Sequence, residues 1–481
     1  MAMMKRAYGG VQPCIRCGVF RIRIPFIHFK ISPPEVVTGI MNACSSYGAL
    51  AVLITTLGLD PEVAWALVIF ETCMYTLNWV LGEPSICGWI TPAMAIMVAF
   101  LETLEPGAAR LQAMTAIELE LGILFLVLGF TGTAKKLNTL IPPAMKAGIV
   151  LGAGVNAITV RLAQGGPIDT VTWGCIAGIF CVYMLMYSQR IRKHMSKSRV
   201  LQVLGNYSFL WTMIILMVVG GVAGEFHFNF SGEIFKMPDF GALFATVSPF
   251  FIGWAEPSMW LMAIPYALAA WIIAYGDFIT VQQLGLQATR DDEYIEFDPN
   301  RTNVVCGIRN VILSLFAPYP ALAGPLSAPY TIATYQRYKQ SGRQGMDSIY
   351  DGAGTNLIFT VIGLFIYPIY EASLAASAAI LVVVLMLQGW VCAIIAMGIV
   401  RDDLDKGISG VMAGAVIARG AAVGIGVGLA FYLFLCDNDK IREDYAYNKE
   451  KQRIEDEETE RQLQALHERM EAFKRGELVE D

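Results

Sequence analysis

Residues 318–331 read PYPALAGPLSAPYT, and residues 83–97 read EPSICGWITPAMAIM. Both stretches are apolar enough to lie in a membrane, yet both are crowded with helix breakers. Pro84, Gly88 and Pro92 interrupt the first; Pro318, Pro320, Gly324, Pro325 and Pro329 interrupt the second. Proline has no backbone N–H and cannot continue a helix through its own position. Irregular backbone at membrane depth is tolerated only where protein or a water-filled cavity receives it. A helix that starts inside the membrane presents unpaired N–H groups and a partial positive charge. Two such ends facing each other attract an anion or a strong acceptor; proline-kinked structural helices are the plainer alternative.

The rest of the chain supplies the membrane. Its 481 residues are 55% hydrophobic and only 16% charged, with a mean hydropathy of +0.52. Soluble proteins carry about 25% charged residues and lack repeated apolar runs near 20 residues long. Apolar segments recur at roughly 35–58, 61–81, 86–101, 113–133, 139–160, 169–188 and 206–224, and again at 258–286, 303–317, 324–336, 352–369, 373–399, 408–418 and 420–436. This predicts an all-α polytopic membrane protein of about 14 segments. Basic clusters before segment 1 and after segments 4, 6, 10 and 12 fall on one side of that count. By the positive-inside rule both termini are expected in the cytosol of a plasma (inner) membrane protein.

The polar stretch GEFHFNFSGEIFKMPDF at 224–240 divides the segments seven and seven, and an odd number per half obliges the second half to insert upside down. The expected organisation is a cytosolic N-terminal segment 1–32, a first repeat 33–224, a linker 225–257, a second repeat 258–436 and a charged cytosolic tail 437–481. The interrupted segments 3 and 10 occupy equivalent places in the two halves, the sequence pointer to a midplane binding site in a transporter.

Several features carry less chemistry. Most of the ten cysteines lie in apolar segments and read as small hydrophobes. Cys14 and Cys17 form a single CxxC without a second ligand pair, so no metal is assigned. No continuous apolar h-region marks a cleavable signal peptide, and segment 1 is expected to direct insertion. The tail alternates acids and bases at helical spacing, with Leu463, Leu466, Met470 and Phe473 on one stripe, and reads as a solvated amphipathic helix or a self-association element. With four histidines and no nucleophile–base or metal-ligand cluster, an enzyme is not expected.

An ionised carboxylate in a membrane helix costs a few kcal/mol on insertion scales, so it normally faces a cavity and marks an ion or substrate path. Asp277, inside WIIAYGDFITVQQLGL (271–286), is the leading candidate, with Thr280 one turn along as a sodium ligand or Asp277 alone as a proton carrier. Glu71 in VIFETCMYTLNW is a second mid-helix acid, structural or a proton or cation partner. Lys146 reads as an interface anchor, with a substrate ligand as the alternative, and Glu118 and Glu120 as residues in contact with water at the outer end of segment 4. Arg309 and Asn310 open segment 9 as partners for loop acids, Asn310 also as support for segment 10. Asn42, Ser45, Ser46 and Tyr47 bring polar groups to segment 1, with helix packing as the alternative role for the serines.

Three stretches, LIPPAMKAGIVLGAG (140–154), GDFITVQQLG (276–285) and GIRNVILSLFAPYPALAGPLSAPYT (307–331), together with the seven-plus-seven plan, resemble the superfamily of nucleobase-ascorbate permeases (uracil-permease-like fold), sulfate permeases and anion exchangers. The resemblance spans about 33–436. It implies a core domain of segments 1–4 and 8–11 moving like an elevator against a gate domain of segments 5–7 and 12–14, with short strands opening half-helices 3 and 10. Substrate then sits between the strands, on Gly88, Trp89, Ile90 and Thr91 in one and Ala323, Gly324 and Ser327 in the other, with Ser45 and Tyr47 of segment 1 beside it. Asp277 falls where these families carry a functional acid on the eighth helix.

Leu326, Ser327 and Ala328 depart from the Gly-Glu-Asn of nucleobase permeases and from the Leu-Ser-Arg common in sulfate permeases. The resemblance therefore implies a divergent branch, without the regulatory cytosolic domain of the sulfate permeases. The expected function is secondary active transport of a small anion such as bicarbonate, sulfate, sulfonate or carboxylate, coupled to H+ or Na+ through Asp277. Nucleobase symport, an anion channel or a membrane sensor are the alternatives. No cofactor beyond a bound Na+ or H+ and no nucleic acid is expected; lipid is, and a homodimer.

Overall fold

The computed structural model describes residues 3–195 and 198–475. Proline and short polar caps open most of the helices, as their missing or satisfied N–H groups allow. Helix α1 (Pro33–Thr55, interrupted by a 3-10 turn at Tyr47–Ala49) and α2 (Pro61–Val80, with Asp60 accepting from Glu62 N at 2.9 Å) are followed by strand and half-helix, β4 (Gly88–Trp89) and α3 (Thr91–Leu101). Next come α4 (Ala108–Thr131), α5 (Ala134–Leu140), α6 (Pro143–Leu162), α7 (Thr172–Tyr187) and α8 (Ser208–Val222). The second half holds α9 (Pro257–Ala288), α10 (Pro299–Phe316), β6 (Ala323–Gly324) with α11 (Ala328–Gly345), α12 (Ile349–Leu364), α13 (Tyr367–Ile399), α14 (Asp403–Leu435) and the tail helix α15 (Asn438–Lys474).

By length and composition, six described helices can each cross a membrane alone: α1, α2, α4, α6, α9 and α13. Helices α3, α7 and α8 are apolar but shorter. Helix α14 is two helices joined at Gly420, whose φ of 84° is a left-handed setting. Its halves fold back on each other: a Cβ at Gly424 would lie 2.2 Å from Val416 and one at Gly428 2.4 Å from Met412. The tail stripe Leu463, Leu466, Met470 and Phe473 lies outside the described side chains.

Long helix–helix contacts build the core. Helix α6 packs on α13 and α14, and α7 on α8 and α13, while α4 packs on α10 and α9, and α1 on α12. Small residues set the approach, as is usual between helices in lipid. A Cβ at Gly154 of α6 would lie 2.4 Å from Cys392 Cβ of α13, and one at Gly122 of α4 2.8 Å from Val311 of α10.

The connecting segments form two opposite faces. On one, the N-terminal residues are ordered into β1 (Gly10–Val11), β2 (Ile15–Cys17) and β3 (Phe20–Ile22), where the sequence suggests only a basic leader. Strand β1 pairs in parallel with β5 (Glu293–Tyr294) after α9, and Arg21 and Arg23 donate backbone N–H to Leu81 and Val80. Buried Arg6 ion-pairs with Asp292 at 2.8 Å and Asp347 at 3.4 Å. Burial pushes the Asp292 carboxyl up, but hydrogen bonds from Arg290 and Arg6 outweigh it and hold it below the usual carboxylate range. The tail helix touches α5 and β5 on this same face. On the other face Lys236 pairs with Glu62 at 2.9 Å and Tyr367 N donates to Ile234 O at 2.9 Å.

Candidate functional site

The two interrupted segments meet. Strands β4 and β6 pair antiparallel, Gly88 opposite Gly324 and Trp89 opposite Ala323. Pro84 and Pro325 flank the strands, Pro92 and Pro329 sit in the first turns of α3 and α11, where proline is favoured, and Leu322 adopts a φ of 55°, a costly setting for a branched residue. The glycines permit the crossing: a Cβ at Gly88 would lie 3.0 Å from Ser327 Cβ, and one at Gly324 3.0 Å from Ile90 Cγ1 and from the Trp89 carbonyl carbon. Beyond the ladder, Ile90 N donates to Ala321 O at 3.1 Å and Ser327 N to Ile86 O at 2.7 Å.

Helix α10 braces the second strand. Asn310 Nδ2 donates to Ala323 O at 2.8 Å while its Oδ1 accepts from Ala323 N at 3.0 Å, and Arg309 Nη1 donates to Gly324 O at 2.8 Å. These residues do not open their helix, as the sequence suggests; α10 starts at Pro299, so both lie deep within it and are fully buried. The apolar reading missed this first turn because Arg301 and Thr302 are polar, but each is bonded to Glu83 at 2.6 Å.

Helices α3 and α11 begin at the crossing, and neither has a side-chain cap: Ile90 and Ser327 hold the N-cap positions without capping hydrogen bonds. Their first turns open onto a cavity of about 680 Å³. Of the residues singled out in the sequence, Ser45, Gly88, Trp89, Thr91, Asp277, Thr280 and Ser327 line it. Ile90, Ala323 and Gly324 are buried in the strand pair behind the lining. Tyr47 is not brought to the cavity: its hydroxyl donates to Leu364 O at 2.7 Å, because the 3-10 turn swings it toward α12. Glu71 is likewise away from the lining, fully buried behind the strands.

Asp277 faces the cavity from the middle of α9 without a hydrogen-bond or ion-pair partner among the described residues. Thr280 Oγ1 donates to Gly276 O at 2.8 Å, the back-bond usual for a helical threonine. Ser45 Oγ and Tyr330 Oη are 2.5 Å apart at the start of α11.

Asn42 and Ser46 of segment 1 and Lys146 also line the cavity, but the sequence reading missed Gln283 and Gln388. It also missed that the tail contributes. Tyr447, Lys451, Gln452 and Glu455 of α15 line the outer end. Asn448 Nδ2 donates to Thr139 O at 3.1 Å and Ile141 O at 2.9 Å, and Tyr275 donates to Gln452 Oε1 at 3.2 Å, so the tail bridges α5 and α9 across the mouth. Glu118, expected near water, is fully buried and accepts from Tyr319 N at 2.8 Å.

No family model matches the chain, and no curated protein matches it. Among solved structures, the transmembrane domain of the cyanobacterial bicarbonate transporter BicA superposes with a TM-score of 0.51 at 14% identity, covering 82% of this chain and 96% of that one. The murine solute carrier 26 family member A9 anion transporter, inward-facing, gives 0.49 at 12% identity over 84% of this chain and 68% of that one. The chain therefore shares the fold of the BicA transmembrane domain.

Proposed function

We propose that the protein is a secondary active transporter of a small anion, bicarbonate, sulfate, a sulfonate or a carboxylate. The observation that carries this reading is the pair of uncapped half-helix N-termini meeting at one cavity. Each contributes free N–H groups and about half a positive elementary charge, and such termini bind anions readily. On this reading the substrate contacts are Gly88, Trp89, Thr91, Ser327 and Ser45, with Ile90, Ala323 and Gly324 holding the strand backbones in place. The bicarbonate transport named for BicA favours the same ligand class.

Asp277 then supplies the coupling. An ionised carboxylate facing the same cavity repels an anion, and a proton or a sodium ion on Asp277, with Thr280 beside it, relieves that repulsion. Anion affinity accordingly rises as pH falls if the coupling ion is a proton, and with sodium if it is Na+. On this reading the fourteen-segment inverted repeat counts α14 as two segments and includes the shorter α3, α7, α8, α10, α11 and α12, with a core of α1–α4 and α9–α12 moving against a gate of α6–α8, α13 and α14. Both termini lie on one face, taken as cytosolic, and the gate is the expected dimer contact.

The test is uptake into proteoliposomes of each of the four anions, under imposed proton or sodium gradients. Saturable uptake of one of them, driven uphill by a gradient and abolished in Asp277→Ala, supports the reading. Ohmic flux that does not saturate favours a channel. Uptake of uracil or xanthine in place of anions favours a nucleobase permease, which the apolar Leu326 and Ala328 around Ser327 disfavour.

A further inference from the structure

Behind the strand crossing, away from the cavity, three ionisable side chains are sealed from solvent: Glu71 of α2, Glu118 of α4 and Arg309 of α10 are each 0% exposed. They are near enough to feel one another's charge, yet no ion pair joins them among the described residues. Glu71 Oε2 accepts from Thr72 at 3.4 Å, Glu118 Oε2 accepts from Tyr319 N, and the Arg309 guanidinium lies 5.1 Å from the Tyr75 ring centroid. Left over are Glu71 Oε1, Glu118 Oε1, Arg309 Nε and Nη2, and the Tyr319 hydroxyl, all buried and all without a partner.

Two arguments converge on what occupies this place. Orphaned donors and acceptors facing one another are normally bridged by buried water, which needs two to four polar partners. The charges also do not balance: two carboxylates against one guanidinium leave one negative charge in excess, and an uncompensated buried charge costs several kcal/mol. No neighbour corrects the sum. Glu83, the next acid, is matched by Arg301 at 2.6 Å. Tyr75, Tyr319, Cys87 and Cys306 face the cluster as neutral groups, and Asp277, the acid of the adjoining α9, opens to the cavity. Glu120, two residues along α4, has no charged group beside it.

We propose that Glu71 and Glu118 share one exchangeable proton, held through water with Arg309 and Tyr319, as a proton-binding site separate from Asp277. With the proton present the cluster is neutral; when it leaves, a carboxylate remains and the cluster carries one net negative charge directly behind both half-helix N-termini. The strands register the change mechanically as well. Glu118 holds Tyr319 N, Arg309 holds Gly324 O, and Glu71 lies beside Trp89.

The test does not depend on which solute is carried. Infrared difference spectra of purified protein in an Asp277→Asn background, in water and deuterium oxide, read the protonated-carboxyl band. The expected result is one exchangeable component that disappears in Glu118→Gln, disappears equally in Glu71→Gln, and loses nothing further in the double variant, because either substitution leaves one acid matched to Arg309. Arg309→Gln is expected to add a second component, and it serves where one glutamine variant does not fold. Loss of the component in only one variant, additive loss of two components, or no change in any variant overturns the proposal. Those results leave the transport reading untouched, which stands or falls on flux.

Discussion

The two sides of the strand crossing treat carboxylates in opposite ways. In front, Asp277 faces a cavity of about 680 Å³ with room for solvent or solute, and it has no hydrogen-bond or ion-pair partner among the described residues. Behind, Glu71 and Glu118 are sealed among Arg309, Tyr75 and Tyr319, where unpaired oxygens demand a proton and water. The same two strands of two residues separate them. A wall this thin makes the charge on one side part of the environment of the other.

The largest effect is expected from thickening the wall. Gly88→Val or Gly324→Val forces a branched side chain into contacts already at 3.0 Å, and overpacking of this kind costs about 1–3 kcal/mol, more where backbone must shift. Anion-dependent thermal stabilisation should fall at least about tenfold in apparent affinity, the equivalent of 1.4 kcal/mol. Wild-type affinity in either variant breaks the account of the crossing.

Next is Asp277→Asn, which mimics the protonated acid. Anion binding should survive and lose its sodium dependence or the part of its pH dependence that Asp277 supplies, leaving only that of the Glu71–Glu118 cluster, while uphill accumulation is lost; both are read in one proteoliposome series. Behind the wall, Glu118→Ala leaves Tyr319 N unsatisfied. A buried polar group deprived of its partner costs about 1–3 kcal/mol, so melting should fall by several degrees while Glu118→Gln remains close to wild type.

The smallest effects belong to the two covers of the face that carries the N-terminal strands and the tail helix. Truncation before Tyr447 removes the bridge from Thr139 and Ile141 to Tyr275 and should speed thiol modification of Cys392, which lines the cavity, a few-fold by mass spectrometry. At the N-terminal clamp, Asp292 titrates below its unfolded value, so its contribution is present above the ordinary carboxylate pKa and is lost as pH falls through the lowered one. Hydrogen exchange in residues 5–30 should therefore rise on acidification and, at neutral pH, in Arg6→Ala.

What the sequence made legible follows the same division. The breakers in EPSICGWITPAMAIM and PYPALAGPLSAPYT announce the crossing because proline and glycine act locally, and Asp277 stands out because a lone acid in an apolar run has one physical excuse. The back cluster was legible only in part: Glu71 stands out as a second mid-helix acid, but its partners do not. Glu118 reads as an end-of-helix acid, and its burial arises only when the turn at Tyr319 folds over α4. Arg309 was misplaced because the first turn of α10 carries Arg301 and Thr302, whose partner Glu83 is more than 200 residues away in sequence. Tyr47 points elsewhere because a 3-10 turn, which periodicity does not register, rotates the end of α1. The tail's role at the mouth depends on a bend of 120° after Leu435, which composition does not show.

The account rests on an anion lying where α3 and α11 begin. Anomalous diffraction from crystals soaked in bromide or selenate locates such an ion directly. A peak within hydrogen-bonding distance of the Thr91 and Ala328 backbone N–H groups, on the Asp277 side of the strands, is the predicted result. Density confined to the Lys146–Lys451 mouth, or no peak at the crossing with the ion in excess, contradicts it.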